Sequence, residues 1–177
     1  MLSRNDAVMN FLLTRRSKPA KTLSAPVPNK KELLEILNAA ARTPDHGKLV
    51  PWRFIVLQEK TLSNLGKLIE SIGLKDTIPE DKIAKARKQL EGGHLAVAVI
   101  EVQKPSDKIP DIEQTYSAGA VCLALLNAAL AAGWGANWLT GWHVYNKSFL
   151  KNGLKLKDNE SIAGLIYLGT ATITPPE

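Results

Sequence analysis

One cysteine, Cys122, is the only thiol in this chain. A lone thiol cannot close an intramolecular disulfide, so the fold has to stand on its core, and such sparse cysteine usage fits a reducing compartment. Also missing are paired carboxylates, a His/Cys cluster at metal-ligand spacing, a Ser-His-Asp signature and a glycine-rich phosphate loop. Hydrolytic, metal-centred and P-loop chemistries therefore find no support in the sequence. The N-terminus is polar and charged and shows no signal peptide, which predicts a cytoplasmic protein. The longest apolar run, Ala118 to Trp134, contains Asn127 and two glycines. It falls short of the roughly 20 apolar residues that a membrane span needs and reads as a buried core helix.

What is present is one domain's worth of core. With 177 residues, 45% of them hydrophobic, the chain is expected to form a single domain over 1–177. The net charge of +6 raises the question of nucleic acid. Yet Lys82, Lys85, Arg87 and Lys88 share a segment with Glu80, Asp81 and Glu91. That mixture reads as a solvated helix face rather than a phosphate-tracking stripe, so neither nucleic acid nor membrane is expected as a partner.

Apolar spacing predicts a short helix from Arg4 to Leu13, ending near Arg15-Arg16. Asn29 and Glu32 form a capping-box signature for a helix from Lys30 to Ala41, whose buried stripe is expected to run through Leu33, Leu34, Ile36, Leu37 and Ala40. Trp52 to Gln58 reads as a strand, Lys60 to Ile72 and Pro79 to Leu90 as helices, and His94 to Val102 as a buried central strand. A long, nearly all-round apolar helix follows from about Ile112 to Ala132. In so short a chain, that character suggests packing against a second subunit. Asn137 to Gly141 reads as a short strand entering a turn, 146–152 as a small helix capped by Asn146, and Ser161 to Gly169 as the last strand. Cys122, inside the long helix, is expected to be inert packing.

The most unusual stretch is RTPDHGKLVPWRF, Arg42 to Phe54, between a helix and a strand. Pro44 and Pro51 fix φ, Gly47 opens backbone angles closed to other residues, and Asp45 and His46 add polar side chains. A rigid polar loop in that position is where small-molecule sites tend to lie. Two further motifs accompany it: Arg15-Arg16-Ser17 upstream and Ala136-Asn137-Trp138-Leu139-Thr140-Gly141 downstream. Read alone, the arginine pair is two solvated cations at a helix C-terminus, His46 is a surface residue, and Trp134, Trp138 and Trp142 are aromatic core.

Taken together and in this order, the three motifs resemble the FMN-dependent nitroreductase family, and within it the short bacterial NAD(P)H nitroreductases. The resemblance runs from about residue 5 to residue 170. It implies an α+β fold, with a mixed, largely antiparallel central sheet flanked by helices, in a homodimer whose active sites lie at the subunit interface. It further implies that Arg15, Arg16 and Ser17 hold the FMN phosphate, that Arg42 and His46 reach the flavin from the neighbouring subunit, and that Trp138, Leu139 and Thr140 complete the cradle.

Guanidinium geometry matches phosphate oxygens, and the flavin would carry the chemistry that the side chains lack. The implied reaction is ping-pong reduction of nitroaromatic or quinone-like acceptors by NAD(P)H. A flavoenzyme of the same fold acting on a conjugated alkene or on flavin itself, and a non-catalytic flavin-binding protein, are the alternatives. Three departures bear on them. Pro19 replaces a further arginine of the family's pattern, Leu139 stands where relatives often carry a basic residue, and the closing Thr174-Pro175-Pro176-Glu177 offers no phosphate-binding cation. Arg53, beside the loop, reads as a structural ion-pair partner more readily than as a flavin contact.

Overall fold

A computed structural model describes residues 3–172; the Thr174 to Glu177 tail lies outside them. Five strands form one sheet: β1 (Leu23–Ser24), β2 (Trp52–Gln58), β3 (Leu95–Val102), β4 (Gly135–Leu139) and β5 (Glu160–Ala171). The path runs β1-β5-β3-β2, with β4 also paired to β5, and every pairing among the described residues is antiparallel. The described residues also form six α-helices: α1 (Asp6–Thr14), α2 (Lys30–Ala40), α3 (Glu59–Lys75), α4 (Glu80–Glu91), α5 (Asp111–Ala131) and α6 (Lys147–Gly153). This is the α+β arrangement that the resemblance implies, with no parallel pair among the described residues.

Both faces of the sheet are covered, which explains the near-continuous apolar wording of β3. Ala96, Ala98, Ile100 and Val102 enter one core with residues of α3, α4 and α6, while Leu95, Val97 and Val99 enter a second with α2 and α5. On β5 the alternation changes phase where the β3 register shifts between Val99 and Ile100, leaving Ala163 unpaired. Ile162 on one side of this bulge and Leu165 and Tyr167 on the other therefore reach the same core. Gly164, next to the bulge, admits the Trp138 indole across the β4–β5 pair.

Leu34, expected on the buried stripe of α2, is exposed instead, because the face that meets α5 and the sheet is the one carrying Leu33, Ile36 and Ala40. The helix starts follow their caps. Asn29 and Glu32 form the complete capping box on α2, and the Asn146 side chain accepts from the Phe149 amide at 3.0 Å. Pro79 sits at the N-cap of α4, one position before the first helical turn expected of it. α6 runs one residue further than the expected 146–152, with Gly153 as its last helical residue.

Two helices differ from ordinary core elements. α1 has no buried residue, and Val8, Met9, Leu12 and Leu13 face outward. By length and composition α5 could cross a membrane. Its inner face nevertheless packs on the sheet through Val121, Cys122, Leu125 and Ala129, leaving Ile112, Tyr116 and Leu123 exposed. Burial pushes the Cys122 thiol up to about 12, as expected of an inert core cysteine.

Candidate functional site

The segment after α1 is stitched to β4. The Lys18 amide donates to the Ala136 carbonyl at 2.9 Å, and Asn137 Nδ2 donates to the Lys18 carbonyl at 2.8 Å. Arg15, Arg16 and Ser17 are thereby held beside the strand that ends in Trp138 and Leu139, with Thr140 immediately beyond. Arg15 Nη2 lies 3.4 Å from Ser17 Oγ, whereas its Nε is buried with no hydrogen-bond partner. A buried guanidinium donor without an acceptor is costly, and a phosphate oxygen would satisfy it. Arg16 and Ser17 are exposed, as a ligand arriving from solvent requires. Trp138 is 37% exposed, and its indole lies over Gly164. Trp134 and Trp142 pack on opposite cores, so the three tryptophans form no cluster.

The Arg42–Pro51 loop is braced against α5 instead. Ser117 Oγ donates to the Pro44 carbonyl at 2.8 Å and accepts from Trp52 Nε1 at 3.2 Å, while His46 Nδ1 lies 2.5 Å from Glu113 Oε2. Within the loop, Asp45 Oδ2 accepts from the Val50 amide at 2.6 Å. Gly47, Lys48 and Val50 all hold positive φ, and for β-branched Val50 before a proline this is a strained conformation. Backbone strain of this kind concentrates at functional sites. A crevice of about 540 Å³ opens between Pro44, His46, Glu113, Tyr116 and Ala120. A second, of about 300 Å³, adjoins Arg42, Leu123 and Asn127. No hydrogen bond among the described residues joins the Arg42–His46 group to the Arg15–Ser17 group. The eight predicted residues thus fall into two sets, one at or beside β4 and one on the loop braced against α5.

A model of the nitroreductase family matches residues 12–170. The chain belongs to the nitroreductase family. It is 33% identical over 163 residues to a Haemophilus influenzae protein named "Putative NAD(P)H nitroreductase", covering 92% of this chain and 87% of that one. YdjA of Escherichia coli K12, which carries the same name, is 30% identical over 162 residues with the same coverage. Among solved structures, a nitroreductase-like protein from Bacillus cereus superposes with a TM-score of 0.78 at 22% identity, over 100% of this chain and 92% of that one. A Desulfovibrio desulfuricans protein described as "a putative nitroreductase in complex with fmn" gives 0.75 at 18% identity, over 99% of this chain and 92% of that one. These two likenesses establish the shared fold.

Within this nitroreductase-family fold, Arg53 has the structural role expected of it. Its Nε and Nη2 donate to Glu160 Oε1 and Oε2 at 2.8 and 2.9 Å, which raises the guanidinium's own pKa. Glu113 and Ser117, which position the loop, were not visible as partners, because nothing in the sequence states that α5 passes beside Pro44. His143 was missed as well. It is fully buried in the turn after Thr140, with neither ring nitrogen hydrogen-bonded, and burial lowers its pKa to about 4. Its one sequence signal is its place two residues after the Thr140-Gly141 motif.

Proposed function

We propose that this chain is a soluble, cytoplasmic FMN-dependent oxidoreductase. It uses NAD(P)H to reduce nitroaromatic or quinone-like acceptors in a ping-pong cycle, and works as a single-domain subunit of a homodimer. The observation that carries this reading is the orphaned Arg15 Nε beside Ser17, held against β4 by Lys18 and Asn137. Arg15, Arg16 and Ser17 fit a phosphate, and the backbone of Trp138 and Leu139 on β4, with Thr140 just beyond, follows beside them. Bound FMN supplies hydride acceptance and donation, which no side chain here can. The protein's part is to bind the phosphate, orient the ring system and fix charge near it.

The placement of Arg42 and His46 supports a site shared between two copies. They flank the exposed side of α5 rather than the β4 group, and Ile112, Tyr116 and Leu123 lie outward there. α1 points the same way. A nine-residue helix with no buried side chain is too short to persist in water by itself, and its outward Leu12 and Leu13 call for a covering surface.

The test is optical. Purified protein is expected to be yellow, to bleach with NADPH and to regain colour with a nitroaromatic. Bleaching without response to nitro acceptors would transfer the reading to another substrate, and colour that NAD(P)H never bleaches would leave a binding protein. Arg15→Ala and Ser17→Ala are expected to release FMN more than they lower the melting temperature. Wild-type flavin affinity in both would remove the phosphate-anchor role.

A further inference from the structure

A second polar concavity adjoins Thr140. α4 carries Lys82, Lys85 and Gln89 on one stripe, at i, i+3 and i+7, and that stripe faces Thr140, Gly141 and His143 across a crevice of about 320 Å³. Trp142 ties the two walls together, its Nε1 donating to the Lys82 carbonyl at 3.3 Å. The His143 imidazole lines this crevice fully buried, and both of its nitrogens lack partners, whereas the Gln89 amide lies against the buried Tyr167 hydroxyl.

The electrostatics are one-sided. Among the described residues neither Lys82 nor Lys85 has a carboxylate within 4.0 Å, whereas Arg87 on the same helix is paired with both Glu70 and Glu91. No carboxylate lines the crevice. A neutral imidazole supplies one N–H donor, and two ammonium groups at the mouth supply positive field. Buried donors left unmade are expensive. The ligand that answers all of these features is an oxyanion.

We propose that the α4 crevice binds the phosphate or carboxylate group of the molecule that approaches the flavin at Thr140. Lys82 and Lys85 attract the group, and His143 donates to it. This rests on the FMN reading for the identity of the approaching molecule, though not for the anion site itself. The stretch that reads in the sequence as a solvated basic face is then divided: Arg87 serves the fold, and Lys82 and Lys85 set specificity.

The experiment compares wild type with Lys82→Gln/Lys85→Gln, a pair of exposed positions whose exchange leaves the core untouched, as circular dichroism would verify. Inorganic phosphate is titrated while the Trp142 indole and His143 ring signals are followed by NMR. Saturable shifts in wild type, with affinity reduced about tenfold or more in the variant, are expected. No saturable shift, or equal affinity in the variant, overturns the proposal.

Kinetics then name the source. A fall in the NADPH-over-NADH preference in the variant assigns the anion to the dinucleotide's phosphate. A fall in the preference for 4-nitrobenzoate over 4-nitrobenzyl alcohol assigns it to the acceptor's carboxylate. Neither ratio moving overturns the specificity role. A colourless protein that still binds phosphate through these lysines defeats the FMN reading and retains the anion site; a yellow, NADH-bleachable protein without phosphate shifts does the reverse.

Discussion

Replacing Glu160 with glutamine should expose how the end of the Pro44–Pro51 loop is locked to the sheet. The Glu160 side chain is 4% exposed and accepts three hydrogen bonds, two from Arg53 and one from the Lys157 amide at 2.9 Å. The Arg53 guanidinium is the main reason that the carboxyl falls from 4.5 to about 2. A depression of that size corresponds to about 3 kcal/mol of native-state preference for the ionised form.

The sign follows from which state takes the proton first. On acidification the unfolded chain protonates Glu160 near 4.5 and the native protein only near 2. The stabilisation is therefore complete above pH 4.5 and is lost as pH falls from there to about 2. Glu160→Gln keeps the shape and removes the charge, while Arg53, 40% exposed, can recover water. The expected loss is about 3 kcal/mol near neutral pH. Urea unfolding followed by tryptophan emission, at several values between about pH 7 and about pH 3, measures the gap between the two proteins. The gap should be widest at neutrality and narrow through the acid window. Equal stability at neutrality, or a gap that ignores pH, would refute the reasoning.

Three other perturbations probe different parts of the molecule. A Cβ on Gly164 would stand 2.1 Å from Trp138 Nε1, so Gly164→Ala should displace the indole, shift tryptophan emission and weaken FMN retention; unchanged emission would show that Trp138 is not held there. His143→Phe keeps an aromatic ring 5.2 Å from Phe149 and removes two unpaired nitrogens. Because the native imidazole titrates near 4 against 6.5 unfolded, wild type should lose stability as pH falls from 6.5 to 4, by up to about 3 kcal/mol, and the variant should lack this loss. Matching acid limbs would contradict the burial argument. Cys122, its thiol pushed up to about 12, should react with a thiol reagent only on unfolding; fast labelling of native protein would show that α5 opens.

Much of the fold was legible because its signals are local. The Asn29–Glu32 box states where α2 begins, and the wording of β3 follows from burial on both faces. What could not be read depends on contacts distant in sequence. The two-residue β1 exists only through its pairing with β5, and the Ala163 bulge through its register against β3. α1 shows the limit of periodicity. Val8, Phe11 and Leu12 fall at helical spacing, but the spacing does not say whether the apolar face meets this chain's core or another surface. The site divides in the same way. Its loop announced itself by Pro44, Gly47 and Pro51, while Glu113 and Ser117, its partners, lie about 70 residues onward, at separations that local signals cannot reach. The basic segment on α4 reads as one solvated face because sequence alone cannot show that Arg87 is neutralised by Glu70 and that Lys82 and Lys85 line one crevice with His143.

The shared flavin site is tested most directly by mixing two defective proteins. Arg15→Ala/Ser17→Ala removes the segment beside β4, and Arg42→Ala/His46→Ala removes the segment beside α5; each alone should lose its FMN. Heterodimers formed by refolding the two together and separated by differential tags should regain one FMN per dimer, measured by absorbance, because one of their two sites draws both segments intact. Verified heterodimers holding no more FMN than either parent would contradict a site built from two copies of the chain.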